Sequence, residues 1–513
     1  MAAKRWFVIG LGCAALVGCA TIRSDVKIEE AVDLVEQRVG DRPNWSAPWD
    51  DHPPPWDGRT VLGVDEAVVL ALRNNRELRA DLEMIGKANA DLVQAGLLQN
   101  PVINFMAMFP DGGGRAMLRS TALPLLPLQD LWLIPAREEV ATAQLQQAVL
   151  RVADRAVETA AAVRRAYART QYTQRAIELI KENMAVVDQS MQLIQIRQTS
   201  GKATPVEVNV PRIRVLRLRS ELMAMEAEQR NLKRELLMLM GFAAATDEWS
   251  VAPIHELNDE LVSAPGEAEL IAAAQTQRLD LQAAGWELAA SEDRIELMRR
   301  EGWPELSLGL SFERSAAPPS QNPSFAGQAG NAVAQSLTNT APEGPTVMPF
   351  SPKPREVKYL TGPMIEMEIP IFDRNQAQIA KAIHEYNETL ATYEARWQKI
   401  VWSVRATRVT YDQACEQVRF FRAAIIPEVE RNLRLVQQSF RSGQDDFTIY
   451  LQVQDDLIMN RIKVLEFLRD VNVNRAELER QVGGRLPSPE PTSNANTEPA
   501  ESNSDLPQNE DQP

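Results

Sequence analysis

Residues 383–425 read IHEYNETLATYEARWQKIVWSVRATRVTYDQACEQVRFFRAAI, and the spacing of apolar side chains in this stretch decides the fold class. These side chains follow one another in steps of three and four, which is the period of helices that coil left-handed around each other. The positions are Ile383, Tyr386, Leu390, Tyr393, Trp397, Ile400, Val404, Thr407, Tyr411, Ala414, Val418, Phe421 and Ile425. The pattern predicts one helix from about Asp373 to Arg441, on the order of 100 Å long, with a kink at Pro427.

The same period recurs in other parts of the chain. A seven-residue spacing joins Leu457, Val464, Val471 and Leu478, and a similar seam runs between Leu218 and Leu239. A second long helix is expected from about Pro127 to Thr199. Each long helix is interrupted at a Ser-Gly pair, and glycine in a left-handed conformation commonly ends a helix. We therefore predict two long coiled-coil helical hairpins with their tips at Gly201 and Gly443.

The order of a helix, a strand pair and a long helical hairpin occurs twice in the sequence. Two pairs of equivalent positions differ by 203: Leu78 and Leu281, and Pro101 and Pro304. Two later pairs differ by 242: Gly201 and Gly443, and Gly241 and Gly483. An insertion of about 39 residues (242 − 203) therefore lies between Pro304 and Gly443. Such self-similarity indicates an architecture built from copies of one unit. We assign residues 62–241 to the first repeat and residues 266–484 to the second.

Each repeat contains two strand candidates between its helices. They are residues 102–109 and 116–126 in the first repeat, and residues 305–313 and 358–372 in the second. Strands of this length cross a bilayer as tilted β-structure. Four strands cannot close a barrel, and an open sheet in lipid leaves its edge N–H and C=O groups unpaired, so insertion requires further copies of the chain. A soluble four-stranded sheet is the alternative that the strands alone leave open.

The connections around the strands carry turn-forming residues. We place junctions between strands and helices at Pro101, Pro124, Pro304 and Pro370. The connection 314–357 is rich in Pro, Gly, Asn and Ser and contains the insertion. It is predicted to be a loop at the strand ends farthest from the helices.

The N-terminus is typical of a secretion signal. Lys4 and Arg5 precede an apolar run that ends at Val17, which is too short to span a bilayer as a helix because about 20 residues are needed. Leu16-Val17-Gly18-Cys19 resembles a bacterial lipobox, so residues 1–18 are predicted to be a lipoprotein signal peptide and Cys19 the lipid attachment site. An ordinary signal peptide with an incidental cysteine is the alternative. Residues 19–60 would form a lipid-anchored strap whose tryptophans pack on the body or lie at the lipid interface.

Composition limits the remaining possibilities. The 513 residues exceed what one core usually supports, and residues 485–513 have the composition of a disordered acidic tail. The net charge of −15, with no face dense in Lys or Arg, argues against nucleic acid as a partner. The 3 histidines show no metal-ligand spacing, and no nucleophile motif occurs. We therefore expect no catalytic residue, cofactor or metal, and no enzymatic activity.

Four short motifs lie at the starts of helices and at the junctions between helices and strands. They are Leu62-Gly63-Val64-Asp65-Glu66-Ala67, Asn74-Asn75-Arg76-Glu77-Leu78, Ala95-Gly96-Leu97-Leu98-Gln99-Asn100-Pro101 and Ile369-Pro370-Ile371-Phe372-Asp373-Arg374-Asn375. With these motifs the chain resembles the TolC-like outer-membrane efflux protein family over about residues 60–484. Their order, spacing and duplication make the resemblance specific. Three features depart from the family pattern. Pro211 interrupts the helix after Gly201, and the loop 314–357 is longer than expected. Ile449-Tyr450-Leu451-Gln452 stands where the family usually has an Asp-rich stretch, which puts an acidic ring at those positions in doubt.

The resemblance implies a mainly α protein with a β-barrel portion. Three copies would form a homotrimer with one 12-stranded outer-membrane barrel that continues as a periplasmic α-helical tunnel. The lipobox is similar to that of the lipid-anchored branch, which works with a periplasmic adaptor protein and, through it, an inner-membrane pump. The implied function is a passive duct at the outer membrane for substrates of a tripartite efflux system. Type I protein secretion and a non-conducting coiled-coil envelope lipoprotein are the alternatives.

The resemblance also implies a role for the hairpin tips. Gly201 and Gly443 would mark the closable periplasmic end that meets the adaptor. The candidate aperture acids near the second tip are Asp445, Asp446, Asp455 and Asp456. Under threefold symmetry an inward-facing acid becomes a ring of like charge that attracts cations. A solvated helix end, with acids near its N-terminus, is the alternative.

Overall fold

The structure is a computed structural model, and it describes residues 25–45, 56, 59–100, 105–108, 117–201, 204–242, 249–254, 265–315, 358–442 and 447–486. Several predicted features lie outside these ranges. They are the signal peptide with Cys19, part of the strap, Pro101, Gly443, Asp445, Asp446, nearly all of the 314–357 loop and the tail from residue 487.

The helices and strands form two compact units. The sheet unit consists of residues 88–145 and 286–391, and the helical unit of residues 23–87, 146–285 and 392 onward. In chain order the elements are α1 (Asp25–Val39), β1 (Val61–Leu62), α2 (Val64–Asn74), α3 (Arg76–Ala95), β2 (Phe105–Met108), β3 (Met117–Pro127), α4 (Asp130–Thr199), α5 (Pro205–Leu239), β4 (Ser250–Val251), α6 (Glu267–Gln277), α7 (Leu279–Glu301), β5 (Leu306–Ser315), β6 (Lys358–Met367), α8 (Gln376–Phe420), a π-helical turn (Phe421–Ile425), α9 (Ile426–Ser442) and α10 (Phe447–Val482).

The sheet unit contains four antiparallel strands in the order β2-β3-β5-β6. The last strand ends at Met367, five residues before the predicted end at Phe372. Pro124 also differs from its prediction, because it lies inside β3 rather than at a junction with a helix. Proline has no N–H to give to the strand ladder, and the register between β3 and β5 is irregular between Leu123 and Leu126.

Strands β5 and β6 have two chemically different faces. Directly paired residues of an antiparallel pair lie on the same face, and neighbours along a strand alternate. One face is therefore apolar, with Leu306, Leu308, Leu310 and Phe312 opposite Met367, Ile365, Pro363 and Thr361. The other face carries Ser307, Gly309, Ser311 and Glu313 opposite Glu366, Met364, Gly362 and Leu360. On the apolar face Leu308, Ile365 and Met367 are 44%, 68% and 55% exposed.

The core of the helical unit contains some of the predicted heptad positions together with side chains from α4 and α6. One cluster brings together Tyr172 and Ala176 of α4, Tyr411, Ala414 and Val418 of α8, and Leu468 and Val471 of α10. A second cluster joins Ile400 and Val404 of α8 to Leu478 of α10 and Leu270 of α6. Many buried side chains of α4 are alanine, which lets neighbouring helices approach closely. None of the helices in the described ranges combines the length and hydropathy that crossing a bilayer requires.

Prolines affect the long helices in different ways. The π-helical turn Phe421–Ile425 comes directly before Ile426-Pro427, and the N–H of Ile426 donates to the carbonyl oxygen of Phe421. This local widening occurs where Pro427 cannot donate to the residue four positions earlier and where its ring crowds that carbonyl. Pro211 was predicted to interrupt a helix but lies inside the continuous α5. It falls in the second turn, where only the carbonyl of Glu207 loses its helical partner.

The two repeats keep their register in three dimensions. Helix α6 begins and ends 203 residues after α2 (267 − 64 and 277 − 74), and α10 begins 242 residues after α5 (447 − 205). One contact recurs with the same two offsets. The Asn75 amide donates to the carbonyl oxygen of Leu239 at 2.9 Å, and the Arg278 guanidinium donates to that of Gln481 at 3.0 Å. In each repeat, the end of the last helix (α5 or α10) is therefore hydrogen-bonded to the break between the first two helices (α2 and α3, or α6 and α7).

Tryptophans of the N-terminal strap pack against the helical unit. Trp45 and Trp56 are both buried. The indole N–H of Trp45 donates to the carbonyl oxygen of Leu72 at 2.9 Å, and Trp56 makes edge contacts with Trp249 and Phe242. Of the two roles considered for these side chains, packing is the one observed.

Candidate functional site

The candidate site is the hairpin end of the helical unit, where α4 turns into α5 and α9 turns into α10. Buried side chains from three of these helices form one apolar cluster: Ile180, Val187 and Ile194 of α4, Leu218 of α5, and Phe447 and Leu451 of α10. Phe440 of α9 packs against this cluster. The two hairpins are thus held together close to their tips.

The first tip is a tight turn at Gly201. Gly201 has a φ of +69°, and its N–H donates to the carbonyl oxygen of Gln198 at 2.9 Å. The next helix begins with a capping box, in which Thr204 Oγ1 accepts from the Glu207 N–H at 3.3 Å and the Glu207 carboxylate accepts from the Thr204 N–H. Both termini are therefore satisfied locally. Glycine in this conformation is the role that the sequence predicts for Gly201, whereas the capping box was readable as Thr204-Pro205-Val206-Glu207 and was missed.

Aromatic side chains flank the second tip. Phe440, near the end of α9, stacks on Tyr450 of α10 with ring centroids 5.9 Å apart, and Phe447 lies 5.6 Å from Phe440. The Arg197 guanidinium of the first hairpin lies 5.5 Å from the centre of the Phe440 ring. This cation–π contact joins the two tips. The residues between Ser442 and Phe447 lie outside the described part of the chain.

Asp455, one of the predicted aperture acids, is engaged between the hairpins. Its carboxylate accepts from the Asn183 amide of α4 at 3.2 Å and lies 2.5 Å from Nε of Arg214 of α5. Asn183 is 1% exposed, and the side chain of Asp455 is 23% exposed. Asp456, the next residue, is exposed. The structure thus distinguishes two adjacent acids that the sequence analysis grouped together.

This difference leads to a paired mutational prediction. Asp455→Ala removes the partner of Asn183 and Arg214, and a buried donor left unsatisfied costs roughly 1–3 kcal/mol. Asp456→Ala removes an exposed acid and should change stability by no more than about 0.5 kcal/mol. Thermal unfolding followed by circular dichroism, and limited proteolysis of the hairpin end, measure both effects. Equal stability of the two variants would contradict the assigned role of Asp455.

The predicted strand–helix junctions at Pro304 and Pro370 lie in the sheet unit. Before α4, the buried Asp130 carboxylate accepts from the main-chain N–H of Gln99 at 2.8 Å and from Arg137 at 3.3 Å. Pro304 directly precedes the residues that lead into β5. After β6 and Pro370, Asn375 adopts a φ of +60°, and its amide donates to the carbonyl oxygen of Met298 at 2.8 Å. Side-chain hydrogen bonds therefore fix where the chain changes from strand to helix.

No group of three or more potential metal ligands is found among the described residues.

Comparisons with known proteins identify the fold. A family model described as outer membrane efflux protein matches residues 67–241 and 270–484. A search of curated proteins finds no significant match. Among solved structures, a membrane protein from Pseudomonas aeruginosa is 21% identical with a TM-score of 0.64, and the match covers 86% of this chain and 96% of that chain.

Two further structures show the same fold. VceC of Vibrio cholerae is 15% identical with a TM-score of 0.61, covering 83% of this chain and 97% of that chain. MtrE of Neisseria gonorrhoeae is 15% identical with a TM-score of 0.60, covering 87% of this chain and 98% of that chain. The three matches cover 96%, 97% and 98% of the solved chains. Because the family model covers both repeats, this chain belongs to the outer membrane efflux protein family, whose members are non-enzymatic outer-membrane channels.

Proposed function

We propose that three copies of the chain assemble into a passive exit duct of a tripartite efflux system. In this proposal the strands complete a 12-stranded barrel in the outer membrane, and the helices form a periplasmic tunnel. A periplasmic adaptor protein connects the tunnel to an inner-membrane pump, which supplies the energy and selects the substrate. The observation that carries the proposal is the sheet formed by β2, β3, β5 and β6.

Two properties of this sheet support assembly within lipid. The exposed face of β5 and β6 that carries Leu308, Ile365 and Met367 suits contact with acyl chains, and the opposite face that carries Ser307, Ser311 and Glu313 suits a water-filled interior. Within the described residues, β2 and β6 are edge strands with one neighbour each. Open edges are not tolerated in a bilayer, so pairing between copies satisfies these groups.

Disulfide trapping tests the assembly. Single cysteines placed along β2 and β6, one on each strand in a Cys415→Ser background, are expected to give covalent trimers on oxidation in outer-membrane fractions. Cysteines at Ser291 and Glu388 of the helices provide matched controls outside the strands. Gel electrophoresis without heating should also give a heat-sensitive trimer band. Failure of every strand pair to cross-link, together with a monomer in native mass spectrometry, would refute the assembly.

The hairpin end is proposed to be the adaptor-binding and closable end of the duct. Leu193, Ile196 and Val206 near the first tip are 50%, 64% and 69% exposed, and clustered exposed apolar side chains mark protein interaction sites. The known MtrE structure is described as an open state of that channel. Movement at this end of the present chain would then regulate passage through the duct.

The acids at the second tip, Asp445 and Asp446, are proposed to tune ion passage. Asp446 follows Thr204 by 242 residues in the sequence, the same offset that relates the starts of α10 and α5 (447 − 205), so we expect Asp446 to act as an N-cap as Thr204 does. Asp445→Ala is expected to reduce cation selectivity in bilayer recordings, whereas Asp446→Ala is expected mainly to lower stability, by about 1 kcal/mol. If the double variant keeps both the selectivity and the stability of the unchanged protein, neither residue has the proposed role.

Cys19 is proposed to anchor the mature chain through attached acyl chains. Two or more acyl chains give stable attachment to a membrane. Cys19→Ser should therefore abolish incorporation of labelled palmitate. Before the barrel inserts, the variant should also shift from the membrane fraction toward the soluble periplasmic fraction, because it lacks the acyl chains that would hold it at the inner leaflet. The trimer is expected still to form. Continued palmitate labelling of the serine variant would exclude Cys19 as the attachment site.

A further inference from the structure

A charged cleft in the helical unit lies outside the hairpin end and has a volume of about 670 Å³. Its walls come from α4, the break between α6 and α7, the first part of α8 within this unit, and the end of α10. Six charged side chains line it: Arg151, Asp154, Arg278, Asp280, Arg396 and Lys399. The volume falls within the range of small-molecule sites, roughly 300–1,000 Å³.

Both acids of this cleft are already paired with arginines. Asp280 is bound by Arg278 through two hydrogen bonds of 2.8 Å each, and Arg278 is held in turn by Gln481. Asp154 accepts from Arg480 at 3.0 Å. The pair of Arg278 and Asp280 is bidentate, and such a pair satisfies both partners. The two carboxylates are therefore engaged by Arg278 and Arg480, and neither forms an ion pair with Arg396 or Lys399.

Arg396 and Lys399 provide the excess positive charge. They are three positions apart on α8, so they lie on one side of the helix. Arg396 donates to the main-chain oxygen of Asp280 at 3.1 Å. Within the described part of the chain, neither Arg396 nor Lys399 lies within salt-bridge distance of a carboxylate. This local excess occurs in a protein whose net charge is −15.

The pKa of the Asp280 carboxyl reflects the positive charge around it. Burial alone would raise its pKa, but the hydrogen bonds and charge of Arg278, with Arg480 and Arg396 nearby, lower the pKa below its usual value. The cations around this carboxyl therefore outweigh the cost of burying it.

We propose that the cleft binds a small molecule carrying at least two anionic groups, either phosphates or carboxylates, with Arg396 and Lys399 as its charged contacts. The Arg396 guanidinium offers the forked donors that fit a phosphate or carboxylate, and the Lys399 ammonium adds a second charge. Ser403 and Gln481 supply neutral hydrogen-bonding groups, and Ala283 and Ala395 line the remaining wall. All of these lining residues belong to one copy of the chain.

Isothermal titration calorimetry of the full-length, detergent-solubilised protein tests the site. Pyrophosphate and citrate are titrated separately at low ionic strength, and one binding event per protomer is expected for at least one of them. Arg396→Gln and Lys399→Gln should each weaken binding about tenfold. Lys381→Gln, on the same helix but outside the cleft, is the matched control and should leave binding unchanged. Circular dichroism verifies that each variant is folded.

The two probes also distinguish the ligand classes. Binding of pyrophosphate alone supports a phosphate-bearing ligand, and binding of citrate alone supports a polycarboxylate. Binding of both supports a site that recognises negative charge without distinguishing phosphate from carboxylate. Absence of binding by either probe would overturn the proposal. Binding that survives both Arg396→Gln and Lys399→Gln, or that Lys381→Gln weakens equally, would overturn it as well.

Discussion

Alanine at Gly241 or Gly483 is expected to destabilise the protein by roughly 2–5 kcal/mol. Both glycines follow the end of a long helix and have φ values of +79° and +93°. A side chain with a Cβ pays roughly 1–2 kcal/mol for that conformation. The rest of the effect is steric. A Cβ on Gly241 would overlap the carbonyl group of Asn74, and a Cβ on Gly483 would lie 2.8 Å from the main chain of Arg278.

Two other glycines provide graded controls for this prediction. Gly201 has a φ of +69° but open space around the missing Cβ, so Gly201→Ala should show only the conformational cost, roughly 1–2 kcal/mol. Gly285 lies inside α7, also with open space, and Gly285→Ala should stabilise the helix by up to about 1 kcal/mol. Thermal unfolding should therefore rank Gly285→Ala above Gly201→Ala, and Gly201→Ala above the other two variants. If Gly241→Ala and Gly201→Ala unfold at the same temperature, the close approach of Gly241 to Asn74 within the first repeat is wrong.

Replacement of Arg480 by methionine is the second substitution with a large expected effect. Arg480, near the end of α10, donates to Asp154 at 3.0 Å and to Glu158 at 2.5 Å, both on α4, and its side chain is 11% exposed. Removing one partner of a buried ionic group leaves uncompensated charge, which typically costs 3–5 kcal/mol. Because Glu158 remains 34% exposed, water compensates part of that loss, and we expect roughly 2–4 kcal/mol.

The loss of stability caused by Arg480→Met should become smaller as the pH falls. Burial raises the pKa of the Asp154 carboxyl even with Arg480 present. Burial also acts to raise the pKa of Glu158, but hydrogen bonds from Arg480 and Arg165 outweigh it and lower that pKa. Without Arg480 both carboxyl groups bind protons more readily in the folded protein than before. A lowered folded-state pKa gives stability that is lost as pH falls through it, so the gap between the unchanged protein and Arg480→Met should narrow on acidification.

A surface arginine separates this effect from the loss of a charge alone. Arg431 pairs with Glu428 at 3.1 Å, and the two side chains are 66% and 70% exposed. Arg431→Met should change stability by less than about 1 kcal/mol. Unfolding curves of both variants, recorded from neutral to mildly acidic pH in the same detergent, make the comparison. A loss in Arg480→Met that stays constant over this range would contradict the assigned ion pairs.

The features that the sequence predicted correctly depend on local chemistry. The breaks after Gly201 and Gly241, and the repeat offsets of 203 and 242, follow from glycine and proline positions that recur with the fold. Five of the thirteen predicted heptad positions, Ile400, Val404, Tyr411, Ala414 and Val418, are buried, because a helix presents one stripe to its neighbours, whereas Ile383 is exposed. Pro211 and Pro124 were interpreted wrongly, since a proline in a second helical turn or at an irregular point of a strand is tolerated.

The side-chain contacts of the candidate site required the tertiary structure. Asn183, Arg214 and Asp455 lie on three helices that are far apart in the sequence, and no local pattern indicates that their polar groups meet. The same holds for the network of Arg480 with Asp154 and Glu158. A periodic pattern shows which face of a helix is buried. It does not show which neighbouring helix covers that face, or which positions along the two helices are in contact. Asp455 was therefore grouped with Asp456 until the structure placed it between the hairpins.

Single-channel recording tests the central claim most directly. Full-length protein purified from outer membranes without heating, and verified as a trimer by native mass spectrometry, is added to planar lipid bilayers. The account predicts discrete, long-lived conductance steps from the trimer and none after heat dissociation. A monomeric protein, or a trimer that gives no conductance under any applied voltage, would contradict the proposal that this chain forms a duct.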